Sequence, residues 1–192
     1  MWFFGHLGIG SKLAAPFSRK LPIAVVLVGT LLPDLIDKPL YYGAVLITGR
    51  HGAEIGLISC TRTFGHTALF LFALALIAYA RKSTLFAALT IGVATHMVLD
   101  GFQDYWFFRV QNMEGESSLI LAALFPFYKP TFGAMPFSTL SAHLETVGRP
   151  ITLGAEIIGL AILGWDYWKK KWRFKQILRI GLPWRKPKAG RS

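Results

Sequence analysis

Five stretches of this chain are dominated by apolar residues: Trp2 to Phe17, Pro22 to Ile36, Phe64 to Ala80, Thr84 to Leu99 and Pro150 to Trp168. They run 15 to 19 residues, at the short end of the roughly 17 to 25 that a helix needs to cross a bilayer. A sixth stretch, "SLILAALFPF" at 118–127, is too short to span and ends in Phe-Pro-Phe. It reads as re-entrant or interfacial. The pattern predicts an all-α polytopic membrane helical bundle with about five helices and one such segment.

Composition sharpens this picture. Of 192 residues, 53% are hydrophobic and 16% charged, against about a quarter charged in a typical soluble domain, and mean hydropathy is +0.45. A soluble helical bundle would have too few charges for its surface. Met1 is followed by Trp-Phe-Phe, so the start lacks the basic region of a cleaved signal peptide and the first segment is expected to stay. A lone cysteine, Cys60, excludes an internal disulfide and a Cys-rich zinc knuckle.

The net charge of +11 invites a nucleic-acid reading, but its distribution disfavours one. Ten of the 21 basic residues lie from Lys169 onward with no acid among them, and the remaining bases nearly balance the acids. The chain divides into an integral membrane helical domain, 1–168, and a basic cytoplasmic tail, 169–192. Aromatic and aliphatic residues interleave with the bases over 168–180, as in an amphipathic helix that lies on the inner membrane surface and attracts anionic lipid. Arg19-Lys20 and Arg81-Lys82 interrupt the apolar pattern and are cytoplasmic by the positive-inside rule. The first, third and fifth segments then run inward and the second and fourth outward, across the cytoplasmic (inner) membrane. Cys60 falls in an outer connection and offers a native labelling reporter.

On that path the residues least suited to lipid come out at one face. "LLPDLIDKP" carries Asp34 and Asp37 at the end of the second segment, three apart and so neighbours on a helical face. "RTFGHT" opens the third with Arg62 and His66, "THMVLDGFQD" closes the fourth with His96, Asp100 and Asp104 in a stripe of period four, and His6 lies near the start of the first. Each has an ordinary reading as a helix cap, a satisfied core histidine or a snorkelling arginine. Convergence at one face favours a common cause, because ionisable residues in spans are costly and usually pair or function. His6, Asp34, Asp37, His66, His96 and Asp100 form a nitrogen and oxygen donor set without thiolate, suited to a divalent metal, zinc first and manganese or iron next. Six donors exceed the three or four of one catalytic zinc, so either two metals share the set or some of the six orient the others. Gln103 and Asp104 continue the stripe. Arg62 is the candidate clamp for an anionic substrate oxygen, since guanidinium presents a planar fork of donors.

These blocks, His6 with its neighbouring glycine, "LPDLID", "RTFGHT", "THMVLD" and the later "LFPF", resemble in order and spacing the membrane-bound metal-dependent hydrolase family, catalogued with the LexA-binding, inner-membrane-associated hydrolases. The resemblance covers roughly residues 5 to 127 and matches at His6, Asp34, Asp37, Arg62, His66, Thr67, His96 and Asp100. It departs at Phe64 and Gly65, where threonine is common before the histidine. It implies a metal-dependent hydrolase. At a site facing the headgroup layer the expected substrate is a phospholipid or lipid-linked phosphate, with Asp37 or Asp104 as general base and a lesser claim for His143 or Glu145. The competing reading is a non-catalytic scaffold in which a structural metal clip joins the helices and the tail docks anionic lipid or a soluble protein partner. A proton or metal transporter is disfavoured because the inner halves of the spans are almost wholly apolar.

Overall fold

The computed structural model describes residues 3–110, 117–134 and 140–169. Beyond Lys169, the basic tail and its expected amphipathic helix lie outside them. The described residues form helices and turns without a strand: α1 (Phe3–Ala14), α2 (Ile23–Gly29), α3 (Leu32–Thr48), α4 (Ala68–Arg81), α5 (Thr84–Tyr105), α6 (Ser118–Ala123), α7 (Leu140–Glu145) and α8 (Pro150–Trp168).

Three boundaries differ from the sequence expectation. The stretch Pro22 to Ile36 is two helices, broken at Thr30 and Leu31, with Pro33 in the first turn of α3. Proline has no N–H to donate into a continuing helix but fits the first turn of a new one. Asp34 and Asp37 therefore open a helix instead of closing one. α3 then runs on through Pro39 to Thr48, where Gly49 takes the left-handed conformation that ends it (φ 66°), a residue type without a Cβ penalty there. α5 continues past Leu99 and passes into a π-helical turn, Trp106–Val110. The third apolar stretch begins as a 3-10 turn, Phe64–His66, before Thr67 caps α4 by accepting from Phe70 N–H at 3.0 Å.

α1 and α8 run parallel. Glu156 of α8 accepts hydrogen bonds from the Phe4 and Gly5 amides at 2.8 and 3.0 Å, and near the other end Lys12 pairs with Asp166. Between these polar ties the backbones touch: a Cβ built on Gly8 would lie 2.1 Å from Gly159 O, and one on Gly92 of α5 would lie 2.4 Å from Val26 O of α2. Small residues at helix crossings are how helices pack closely where lipid replaces water. Gly92→Ala is expected to cost about 1–3 kcal/mol by overpacking. Gly164→Ala, which meets nothing within 4 Å, is expected to leave thermal unfolding in detergent unchanged or slightly improved.

Polarity is inverted relative to a water-soluble fold. His6, Asp37, His66 and His96 are fully buried, whereas Leu46, Ile47, Phe72 and Tyr79 are 85, 87, 67 and 84% exposed. Large apolar surface of this kind marks contact with lipid or a partner. The helix Thr84–Val110 is, among the described residues, the one long and apolar enough to cross a membrane; α4 is apolar but shorter. The short sixth stretch forms α6, capped by Ser117, with Ala122 packed beside Cys60 and Phe132.

Candidate metal centre

The histidines and acids gather where α1, α3, α4 and α8 begin and α2 and α5 end. Basic residues Arg19, Lys20, Arg81, Lys82 and Lys169 fall at the opposite helix ends. Two imidazoles, one anchored on a backbone carbonyl and one on a carboxylate, form the middle of the cluster. Nδ1 of His96 lies 2.8 Å from the Thr30 carbonyl, and Nδ1 of His66 lies 2.7 Å from Asp37 Oδ2. Each Nδ1 must therefore carry the proton, and in the neutral ring each Nε2 presents a lone pair. These two Nε2 atoms are 3.1 Å apart. Two lone pairs so close repel unless a proton or a cation lies between them. Asp100 Oδ2 lies 3.7 Å from Nε2 of His96 and 3.6 Å from Nε2 of His66, and Asp34 Oδ1 is 3.9 Å from His66 Nε2.

His6 completes the set from α1. Its ring stacks on that of His96 with centroids 3.9 Å apart and planes 13° from parallel. Nε2 lies 3.3 Å from Asp100 Oδ1 without hydrogen-bond geometry, and neither buried ring nitrogen has a hydrogen-bond partner. Orphaned buried nitrogens cost free energy, and a cation removes that cost. The donor atoms of His6, His96 and Asp100 lie within 4.8 Å of one another, as do those of Asp34, His66 and His96. The residues present fit a divalent metal.

Asp37 occupies a different place from the ligand or base expected of it. Its carboxylate accepts from Thr63 N–H at 2.7 Å and Gly65 N–H at 2.9 Å besides holding His66. With all three donors on it and no exposure, it fixes a ring orientation, as acids behind metal-binding histidines do. Gly65, the departure from the family pattern, has a steric reason: a Cβ there would meet Pro33 at 2.9 Å and Asp37 Oδ1 at 3.3 Å.

Asp104 is likewise engaged rather than poised as a base. Oδ1 pairs with Arg62 Nη1 at 2.7 Å, while Oδ2 accepts from Ser117 Oγ and Leu119 N–H, so it ties the start of α6 to the cluster. Arg62 spans two acids: Nη2 meets Asp100 Oδ2 at 2.9 Å, and Nη1 also reaches Ser118 Oγ at 3.2 Å. Burial works against its charge, but Asp100 and Asp104 hold the guanidinium protonated well above its ordinary range. Gln103 points to α8, 3.4 Å from Thr152 Oγ1. Glu145 is exposed at the end of α7, and the His143 side chain lies outside the described residues.

Lys38, unremarked in the sequence, pairs with Asp34 at 2.6 Å; its signal was there, since residues four apart on a helix are neighbours. Glu156 was equally visible as an acid inside an apolar run. Cys60 is 2% exposed, its Sγ bonded to Arg62 O at 2.9 Å, and burial pushes the thiol up to about 11. It is a poor reporter, because the reactive thiolate is scarce and sheltered.

Buried acids and histidines inside an apolar-surfaced helical assembly define a membrane protein with a polar centre at one end. The chain belongs to the YdjM inner membrane protein family, which it matches over residues 1–173, and it associates with the lipid bilayer. No curated protein and no solved structure matches it.

Proposed function

We propose that this is a multi-pass inner membrane hydrolase whose metal centre is built on His66, His96 and Asp100, with Asp34 as a further donor and His6 stacked beside them, and which acts on a phospholipid or lipid-linked phosphate at the outer face. The observation that carries the reading is the pair of Nε2 atoms 3.1 Å apart, each aimed by a fixed Nδ1 partner. When bound, a divalent ion supplies a Lewis acid and a nucleophilic water at neutral pH. Arg62 and Lys38 bring positive charge beside the acids, where an anionic headgroup needs it. Asp34, whose side chain is 16% exposed against 11% for Asp104, 4% for Asp100 and none for Asp37, is the cluster acid nearest solvent and marks the side from which a substrate would enter. The exposed apolar surface of α4 and α8 would face lipid, so a substrate reaches the centre from the headgroup layer.

The test is phosphate release from phosphatidic acid vesicles by the purified, zinc- or manganese-loaded protein, with His96→Ala as background. Stoichiometric metal with no turnover above that background would overturn the hydrolase reading in favour of a structural clip.

Topology is tested separately. In a Cys60→Ala background, Glu54→Cys, exposed in the connection before Arg62, is expected to react in intact cells with a thiol reagent that cannot cross the inner membrane. Labelling confined to inverted vesicles would reverse the orientation.

A further inference from the structure

With Asp37 assigned to holding His66, the remaining donors divide into two groups that share one carboxylate. On one side His66 Nε2, His96 Nε2 and Asp100 Oδ2 form a triangle with edges of 3.1, 3.6 and 3.7 Å. Donors about 2.0–2.2 Å from a tetrahedral ion are separated by roughly 3.4 Å, so one ion fits this face. Asp34 Oδ1, 3.9 Å from His66 Nε2, supplies a fourth donor. Arg62 also reaches Asp100 Oδ2, and an ionised carboxylate oxygen has acceptor capacity for both.

His6 cannot serve that same ion. An imidazole binds a metal through a lone pair in its ring plane. The planes of His6 and His96 are nearly parallel, tilted by 13°, with centroids 3.9 Å apart. Over one bond length of about 2.1 Å that tilt closes little of the gap, so an ion in the plane of His96 lies outside the plane of His6. Yet His6 is fully buried, neither of its nitrogens makes a hydrogen bond, and its Nε2 faces the other oxygen of Asp100, Oδ1, at 3.3 Å. The 3.9 Å ring separation falls within the about 3.5–4 Å between the ions of two-metal sites.

We infer that the centre takes two divalent cations bridged by the Asp100 carboxylate, the first on His66, His96 and Asp34 and the second on His6. This rests on the metal reading above and fixes its stoichiometry. Such a pair suits a phosphoryl ester, since two ions clamp both the attacking and the leaving oxygen. The experiment is to strip the purified full-length protein with chelator, titrate it with manganese alone, and count bound ions by elemental analysis while recording the electron paramagnetic resonance of the bound ions. Wild type is expected to bind two equivalents with the spectrum of a coupled pair. His6→Ala is expected to bind one, with the signal of an isolated ion. One equivalent in wild type, or two in His6→Ala, overturns the bridged pair and leaves the hydrolase proposal standing. No binding in wild type overturns both. Loss of both ions in a folded His6→Ala protein overturns the separate assignment of the two positions.

Discussion

A His96→Ala protein is expected to lose metal and all turnover, whereas Val98→Ala, two positions away and 63% exposed, is expected to keep both. The asymmetry follows from what each side chain touches. His96 contributes one of the two facing Nε2 atoms, and its Nδ1 occupies the carbonyl of Thr30 where α2 breaks. Its removal deletes a ligand, strands a buried carbonyl at about 1–3 kcal/mol and leaves His66 opposite a void. Outer partners of metal-binding histidines are typically worth about 10–100-fold in metal affinity, so Asp37→Asn is expected to fall in that range and His96→Ala below it. Metal content by elemental analysis, phosphate release and thermal unfolding on the same samples separate the effects. A folded His96→Ala protein with full metal and activity would falsify the centre.

The membership of this centre was legible in the sequence, and the division of labour within it was not. Spacing of four put His96, Asp100 and Asp104 on one stripe, and charge asymmetry brought the other helix ends to the same face, because hydrophobic run length and basic connections survive without tertiary detail. Asp34 and Asp37, three residues apart, looked equivalent. They differ because Asp37 meets the amides of Thr63 and Gly65, more than 25 residues on, and no local pattern reports where a distant backbone N–H will point. α8 was readable in full, since Pro150 starts it and the apolar run ends at Trp168. The break at Thr30 was obscured by the apolar residues on either side of Pro33. The length of α3 was obscured by Pro39, which normally ends a helix but here sits inside one. α5 outran its expected end because Gln103 and Asp104, which continue the polar stripe, are buried against Arg62, α6 and α8.

Arg62→Ala is expected to be the most destabilising single change at the centre in the metal-free protein. The guanidinium bridges Asp100 and Asp104 at 2.9 and 2.7 Å, so its loss leaves two buried carboxylates without their shared counter-charge. Breaking a buried pair by removing one partner costs about 3–5 kcal/mol, and for a chain of this size each kcal/mol lowers Tm by about 2–4 °C. Arg62→Lys keeps the charge but not the fork, so one ammonium serves one acid at a time. That protein is expected to retain metal, unfold at intermediate temperature and turn over poorly. Adding Asp104→Asn to Arg62→Ala removes one stranded charge and is expected to recover part of the loss, a coupling of about 0.5–3 kcal/mol. Metal is linked to the same balance. A cation on Asp100 supplies the missing positive charge, so zinc is expected to raise the Tm of Arg62→Ala by more than it raises that of wild type. An Arg62→Ala protein as stable as wild type in chelator, with zinc shifting both equally, would show that Arg62 lies beside the acids without holding them.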